Sequence, residues 1–250
     1  MKKILTGFCM CWGFFCYIPG PKKWDEEARP YMLAWLPTVG AIMGIIWALC
    51  FAGLLKAEAP VMAAAAVLTW IPFILSGFIH VDGYMDVNDA LMSRGSLEKK
   101  RAILKDSRCG TFAIVSMIFL VLVEFGFITS AFTAGKICPA APVLIMTLPR
   151  AFSGLMMMRL EPMETSQYTE MKKDDGARAF LIAQAAVWFV IAAVFSRGAF
   201  TKVLITTCAS IIGTLVPIFI ARKELRGMNG DIAGYGILWG ELLGIISLVL

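Results

Sequence analysis

The chain has 250 residues, 59% hydrophobic and 16% charged, with a mean hydropathy of +0.76. Soluble domains run at about 45–50% apolar and about 25% charged, so an ordinary water-soluble globule is excluded and lipid is the solvent that accounts for the excess. The formal net charge of +5 is spread over the loops between apolar stretches and gives no reason to expect nucleic acid as a partner.

In chain order, Met1-Lys2-Lys3 and the apolar run to Tyr17 resemble a secretory signal. No small-x-small cleavage site follows, and the run leads into Pro19-Gly20-Pro21-Lys22-Lys23. A retained, membrane-associated segment is expected, too short to span. Seven later stretches approach the roughly 20 apolar residues a crossing helix needs: 32–54, 60–79, 112–133, 140–158, 179–195, 203–221 and 232–250. Backbone groups in lipid must bond internally, which makes these helices. The expected class is all-α, a polytopic membrane protein with about seven transmembrane helices, and residues 1–250 are read as a single integral-membrane domain.

The loops divide by charge. Segments 1–31, 80–111, 159–178 and 222–231 hold 18 of the 23 Lys and Arg, whereas 55–59, 134–139 and 196–202 hold four, and Arg150 lies within a span. Cytoplasmic loops are enriched in Lys and Arg. A cytoplasmic N-terminus with three large cytoplasmic loops is therefore expected, in a multi-pass protein of the cytoplasmic (inner) membrane. The basic excess faces anionic lipid and any phosphorylated substrate. The seven cysteines include no CxxC pair, and the lone His80 leaves no Cys/His zinc set. Small buried hydrophobes are the expected role for them.

The stretch Gly77 to Arg94 contains Asp82, Asp86 and Asp89 directly after an apolar span. At i, i+4, i+7 the three fall within a sector of about 60° on a helix. Like charges so placed repel unless a cation sits among them, and Mg²⁺ takes oxygen ligands, one or two carboxylates plus substrate phosphates. A divalent-cation site at the cytoplasmic membrane edge is expected. The bland reading, a solvated face beyond a helix end, is disfavoured because charges at membrane level are costly and usually functional. His80 lies about 200° from Asp82 on a continuous helix, so a capping or structural role stands beside a catalytic one.

Lys105-Asp106-Ser107-Arg108-Cys109-Gly110 precedes the third span. Lys105 and Arg108 can meet phosphate oxygens, and Ser107 lies where a helix begins, a place that favours anions. Asp106 is either a further metal ligand or a partner for Arg108. Arg150, inside a span, is expected to face a cavity or a carboxylate. Asp231 either completes a site or N-caps the last span. Glu241 sits about ten residues into that span, and Glu124 is expected to make a structural pairing.

Taken together, His80-x-Asp82-Gly83-x-x-Asp86-x-x-Asp89, Lys105-Asp106-Ser107-Arg108-x-Gly110, Arg150 near Ser153-Gly154, and Gly230-Asp231 with Glu241 resemble the cobalamin synthase (adenosylcobinamide-GDP ribazoletransferase) family. Ile18-Pro19-x-Pro21 and Leu36-Pro37-x-Val39-Gly40-x-x-x-Gly44 also match, and the likeness runs from about residue 14 to the C-terminus. Tyr17 departs from the arginine common before Ile-Pro, Cys109 departs from an aliphatic residue, and 160–176 matches poorly. The resemblance implies that a ribose hydroxyl of α-ribazole, or of its 5′-phosphate, attacks the pyrophosphate of adenosylcobinamide-GDP and GMP leaves. It implies Mg²⁺ as cofactor and the lipid bilayer as setting, and it is compatible with a homo-oligomer. The roles expected are metal binding for Asp82, Asp86, Asp89 and Asp106, with His80 also in the catalytic set. Phosphate binding falls to Lys105, Ser107, Arg108 and Arg150, proton abstraction to Asp89, and further contacts to Asp231 and Glu241.

Two other readings compete. A CDP-alcohol phosphotransferase also uses membrane-edge aspartates, but here Asp82-Gly83 comes first and Asp89 is followed by Ala90, which fits that pattern poorly. A small-solute transporter often shows repeated halves and sites near the midplane. No repeat is evident, and the polar residues gather at one face.

Overall fold

A computed structural model describes residues 2–135, 137–163, 174–196 and 198–250. Lys136, Lys172, Lys173 and Arg197, which contribute to the charge split, lie outside the described residues. Among those described, the chain is helical and no strand forms.

The N-terminal run forms α1 (Lys2–Phe15), at 14 residues too short to cross. It buries one face, Gly7, Met10, Cys11 and Phe15 among it, as expected of a segment laid against the bundle. The expected span 32–54 is instead broken into α2 (Arg29–Ala34) and α3 (Leu36–Lys56). Pro37 has no N–H to offer the Leu33 carbonyl, so the helix stops at Trp35 and restarts with proline in its first turn. On α3, Gly40 and Gly44 let the backbones of α3 and α8 (Ala141–Arg159) close together: a Cβ at Gly44 would come 2.5 Å from the Pro142 carbonyl oxygen. Small residues four apart are how membrane helices approach without a hydrophobic driving force.

The second span ends in an elbow. α4 (Val61–Leu75) and α5 (Ile79–Met92) meet at 91°. Phe78 N donates to the Phe73 carbonyl at 3.0 Å and Gly77 N to the Ile74 carbonyl at 3.0 Å, the paired bonds of a Schellman ending. Gly77 has the positive φ that this ending needs (+60°), and Phe78 follows with φ +61°. α4 is the apolar arm of this bent pair, and α5 carries the aspartates on a helix of its own rather than on a straight continuation of α4.

The remaining helices are α6 (Leu97–Ile103), α7 (Thr111–Thr133), α9 (Asp175–Phe195), α10 (Phe200–Leu225) and α11 (Gly230–Ile246, followed by a 3-10 turn). Among the described residues six helices are long and apolar enough to cross a membrane, and α4 with α5 makes up to seven. α8 and α11 hold the interior, with 83% and 72% of their most apolar stretches buried, while α9 buries 17%. Leu122, Val194, Phe119 and Val187 are exposed apolar side chains on the outer helices, where lipid meets them.

The four basic segments meet at one end of the bundle. Tyr17 N donates to the Leu75 carbonyl at 2.8 Å, Met163 N to the Met228 carbonyl at 2.9 Å, and Met228 N to the Glu161 carbonyl at 2.9 Å. Lys100 pairs with Glu224 at 2.5 Å, and Arg101 donates to the carbonyls of Leu225 and Arg226 at the end of α10. Segments that the charge pattern assigned to one side are therefore tied together on one side.

Candidate active site

α5 lies across the N-terminal ends of α7 and α11. Gly83 makes this possible: a Cβ there would stand 2.8 Å from Asp231 Cα and 2.9 Å from its carbonyl oxygen. Gly234 passes His80 less tightly, a Cβ there standing 3.2 Å from His80 Cα. Asp82 is exposed and Asp86 and Asp89 half-buried, so the i, i+4, i+7 row presents its carboxylates at the rim, as the spacing predicts. Asp89 reaches the first turn of α7 and accepts from Ala113 N at 3.4 Å. A Cβ at Gly110, the residue that opens α7, would collide with that carboxylate. Asp231 stands in the first turn of α11 and accepts from Asn229 Nδ2 at 2.6 Å. The N-cap itself is Asn229, which accepts from Ile232 N at 3.0 Å. Asp231 is free of capping duty and belongs to the acidic group.

Four carboxylates thus share two positive helix ends, which offset only part of their charge. The Asp86 carboxyl is pushed up to about 7, first by burial and then by the negative charges of Asp82, Asp231 and Asp89. Among the described residues no three His, Cys, Asp or Glu side chains enclose a metal by themselves. An open row is what Mg²⁺ uses, since it takes one or two carboxylates and completes its shell with water and substrate phosphate oxygens. The donor set, all oxygen and mutually repelling, fits that ion.

The basic segment lies just before α7. Arg108 makes a forked pair with Asp106: Nε to Oδ1 at 3.0 Å, Nη2 to Oδ2 at 2.7 Å, and Arg108 N to Oδ1 at 3.0 Å. This holds the Asp106 carboxyl down at about 2. Of the two expected roles for Asp106, the structure gives it the second, partner of Arg108, and not a fourth carboxylate in the metal row. Lys105, Ser107 and Arg108 are exposed, with Gly110 and Thr111 leading into α7.

Two expected site residues are elsewhere. Arg150 is fully buried and pairs with Glu241 across α8 and α11, also donating to the Met146 carbonyl at 2.8 Å. It faces a carboxylate, the second of its expected surroundings, so the phosphate-binding role gives way to a structural one, and Glu241 leaves the site with it. Burial explains both: a lone charge at that depth is costly, and each neutralises the other. Glu124 of α7 is 2% exposed and lies within electrostatic reach of Glu241. His80 is also interior, its ring stacked on Phe15 with centroids 6.0 Å apart, its Nε2 without a partner. It shares no face with the aspartates, as the 200° offset requires.

Sequence reasoning missed the supports. Asn88 Nδ2 donates to the Tyr84 carbonyl at 2.8 Å, and Tyr84 stacks on Tyr235 with centroids 5.6 Å apart, fixing α5 on α11. The signal for Gly83 was present as the residue beside Asp82, yet its contact with Asp231 joins positions far apart in the chain.

Carboxylates set at two helix ends, with basic side chains on the adjoining loop, define a multi-pass membrane enzyme with an oxygen-donor centre. The model of the cobalamin-5-phosphate synthase family matches residues 7–249, and the chain belongs to that family, enzymes of cobalamin synthesis. The adenosylcobinamide-GDP ribazoletransferase of Clostridium perfringens (strain 13 / Type A) is 33% identical over 99% of both chains. Those of Clostridium botulinum (strain Alaska E43 / Type E3) and Halalkalibacterium halodurans are 29% and 28% identical, covering 99% and 97% of this chain and 98% and 94% of theirs. No solved structure matches the chain. The motifs at Asp82–Asp89 and Lys105–Gly110 pointed to the family that the comparisons return.

Proposed function

We propose that this chain is an adenosylcobinamide-GDP ribazoletransferase that works with Mg²⁺ at the cytoplasmic face of the cytoplasmic membrane. A ribose hydroxyl of α-ribazole, or of its 5′-phosphate, attacks the phosphorus that carries the cobinamide. A new P–O bond forms, the bridging P–O bond breaks, GMP leaves with that electron pair, and adenosylcobalamin or its 5′-phosphate results. The observation that carries the reading is the row Asp82, Asp86, Asp89 with Asp231, set beside Lys105 and Arg108 in a member of this family.

Two of the three carboxylates Asp82, Asp86 and Asp89 would hold the ion, with Asp231 adjacent. When bound it supplies neutralisation of charge developing on the pyrophosphate oxygens. The protein's own groups do the rest. Lys105 and Arg108 orient phosphate oxygens, Arg108 by exchanging its fork from Asp106 to the substrate. Ser107 and the N-terminus of α7 add neutral donors. A carboxylate of the row that stays free of the ion takes the proton of the attacking hydroxyl. The positive-inside pattern supports placing this end of the bundle in the cytoplasm.

The test is turnover in proteoliposomes with adenosylcobinamide-GDP and α-ribazole, with and without Mg²⁺, following GMP and corrinoid product. Mg²⁺-dependent product that Asp82→Asn abolishes is the expected result. An Asp82→Asn variant with near-normal turnover removes the metal assignment.

A further inference from the structure

At the inner side of the α4–α5 elbow lies an open cleft of about 490 Å³, within the size range of small-ligand sites. Its walls are Gly13 and Phe14 of α1, Tyr17 of the following loop, Gly77 and Phe78 of the elbow, and Asp82. It is therefore continuous with the carboxylate row. We propose that this cleft receives the benzimidazole ring of the ribazole acceptor and presents its ribose to Asp82 and the row beyond. The inference rests on ribazole transfer being the reaction.

Three observations carry it. First, the aromatic groups are placed for a flat ring. Tyr17 is 73% exposed although its backbone is fixed by the bond to Leu75, and Phe14 and Phe78 are 40% and 43% exposed. Second, Phe78 is held at φ +61°, a conformation rare for a bulky residue and concentrated at ligand clamps. Trp70 braces it edge-on, centroids 5.9 Å apart. Third, the chemistry selects between the two ring systems of the reaction. Guanine carries donors and acceptors along its edge that need partners. The cleft offers guanine's N–H donors the Asp82 carboxylate, but among the described residues its lining has no cation or side-chain amide to donate to O6 and N7, and the Ser76 hydroxyl is already bonded to the Phe73 carbonyl at 3.1 Å. A dimethylbenzimidazole has an apolar edge and suits apolar and aromatic walls.

Gly13 offers a test that leaves the backbone alone, because a Cβ there meets nothing within 4 Å. Gly13→Phe fills the cleft, Tyr17→Ala opens it, and Gly126→Phe, equally unobstructed on α7, is the control. Steady-state kinetics in proteoliposomes should show the α-ribazole KM raised about tenfold in the first two. The adenosylcobinamide-GDP KM should stay near wild type, and the control should be unaffected. Gly13→Phe should also favour unmethylated benzimidazole riboside over α-ribazole. An unchanged α-ribazole KM overturns the assignment, and a raised donor KM instead gives the cleft to guanine. Absence of turnover in the wild type would refute ribazole transfer itself. In that case equilibrium dialysis of α-ribazole still decides the cleft: equal binding by wild type and Gly13→Phe refutes it.

Discussion

Replacing Glu241 by Gln keeps the shape of the side chain and removes its charge. Arg150, fully buried and committed to Glu241 and the Met146 carbonyl, would then be an unpaired cation between α8 and α11. Breaking a buried pair from one side costs about 3–5 kcal/mol. For a chain of this size that corresponds to a fall in Tm of about 6–20 °C. Arg150→Met alone should fall similarly, by stranding Glu241. The double variant Arg150→Met/Glu241→Leu removes both charges and keeps the volume, and such replacements range from neutral to stabilising by about 1–4 kcal/mol. Thermal unfolding in detergent, followed by circular dichroism, gives the three values. GMP release from the double variant should stay near wild type, because the pair lies outside the carboxylate row. A double variant that unfolds as early as the singles refutes the reasoning about burial. One that is stable but inactive returns Arg150 to the phosphate.

Other outcomes follow from the row and its supports. Asp86→Asn should lower turnover by about 10²–10³-fold while raising Tm in the absence of Mg²⁺, since it relieves repulsion from three neighbouring carboxylates; a lower Tm contradicts that. The folded pKa of Asp86, at about 7, lies above its ordinary 3.8. The folded state therefore holds the extra proton between those values, and its stability falls as pH rises through the window and levels off above it. The fall should be smaller in Asp86→Asn, and identical pH profiles would contradict the assignment. Gly83→Ala places a Cβ 2.8 Å from Asp231 Cα, so α5 must shift at a cost of about 1–3 kcal/mol; Tm and the Mg²⁺ concentration for half-maximal turnover should both worsen. Asp106→Ala frees Arg108 from its fork and should change the donor KM while leaving the α-ribazole KM alone.

The local rules read the sequence well. Apolar length located the spans, and the 3.6-residue period aligned Asp82, Asp86 and Asp89, because both depend on neighbours in the chain. The elbow was hidden because Gly77-Phe78-Ile79 reads as the tail of the apolar run and holds no proline; the stop comes from the left-handed Gly77–Phe78 pair, which periodicity does not register. Asp106 had two chemically equal partners by sequence, and only the turn at Ser107 gave it to Arg108. Arg150 and Glu241 were each recognised as costly charges, yet their pairing spans 91 positions and depends on how α8 crosses α11.

The elbow has a consequence for the membrane around it. α4 has 15 residues and rises about 22 Å, whereas the hydrocarbon core is about 30 Å thick. An arm that short is matched by thinner lipid beside it or by flanking polar side chains that reach the interface. Gly77 and Phe78, at the end of that arm, set the angle of the helix carrying the aspartates. Bilayer thickness therefore bears on the same hinge that lays α5, through Gly83, against Asp231.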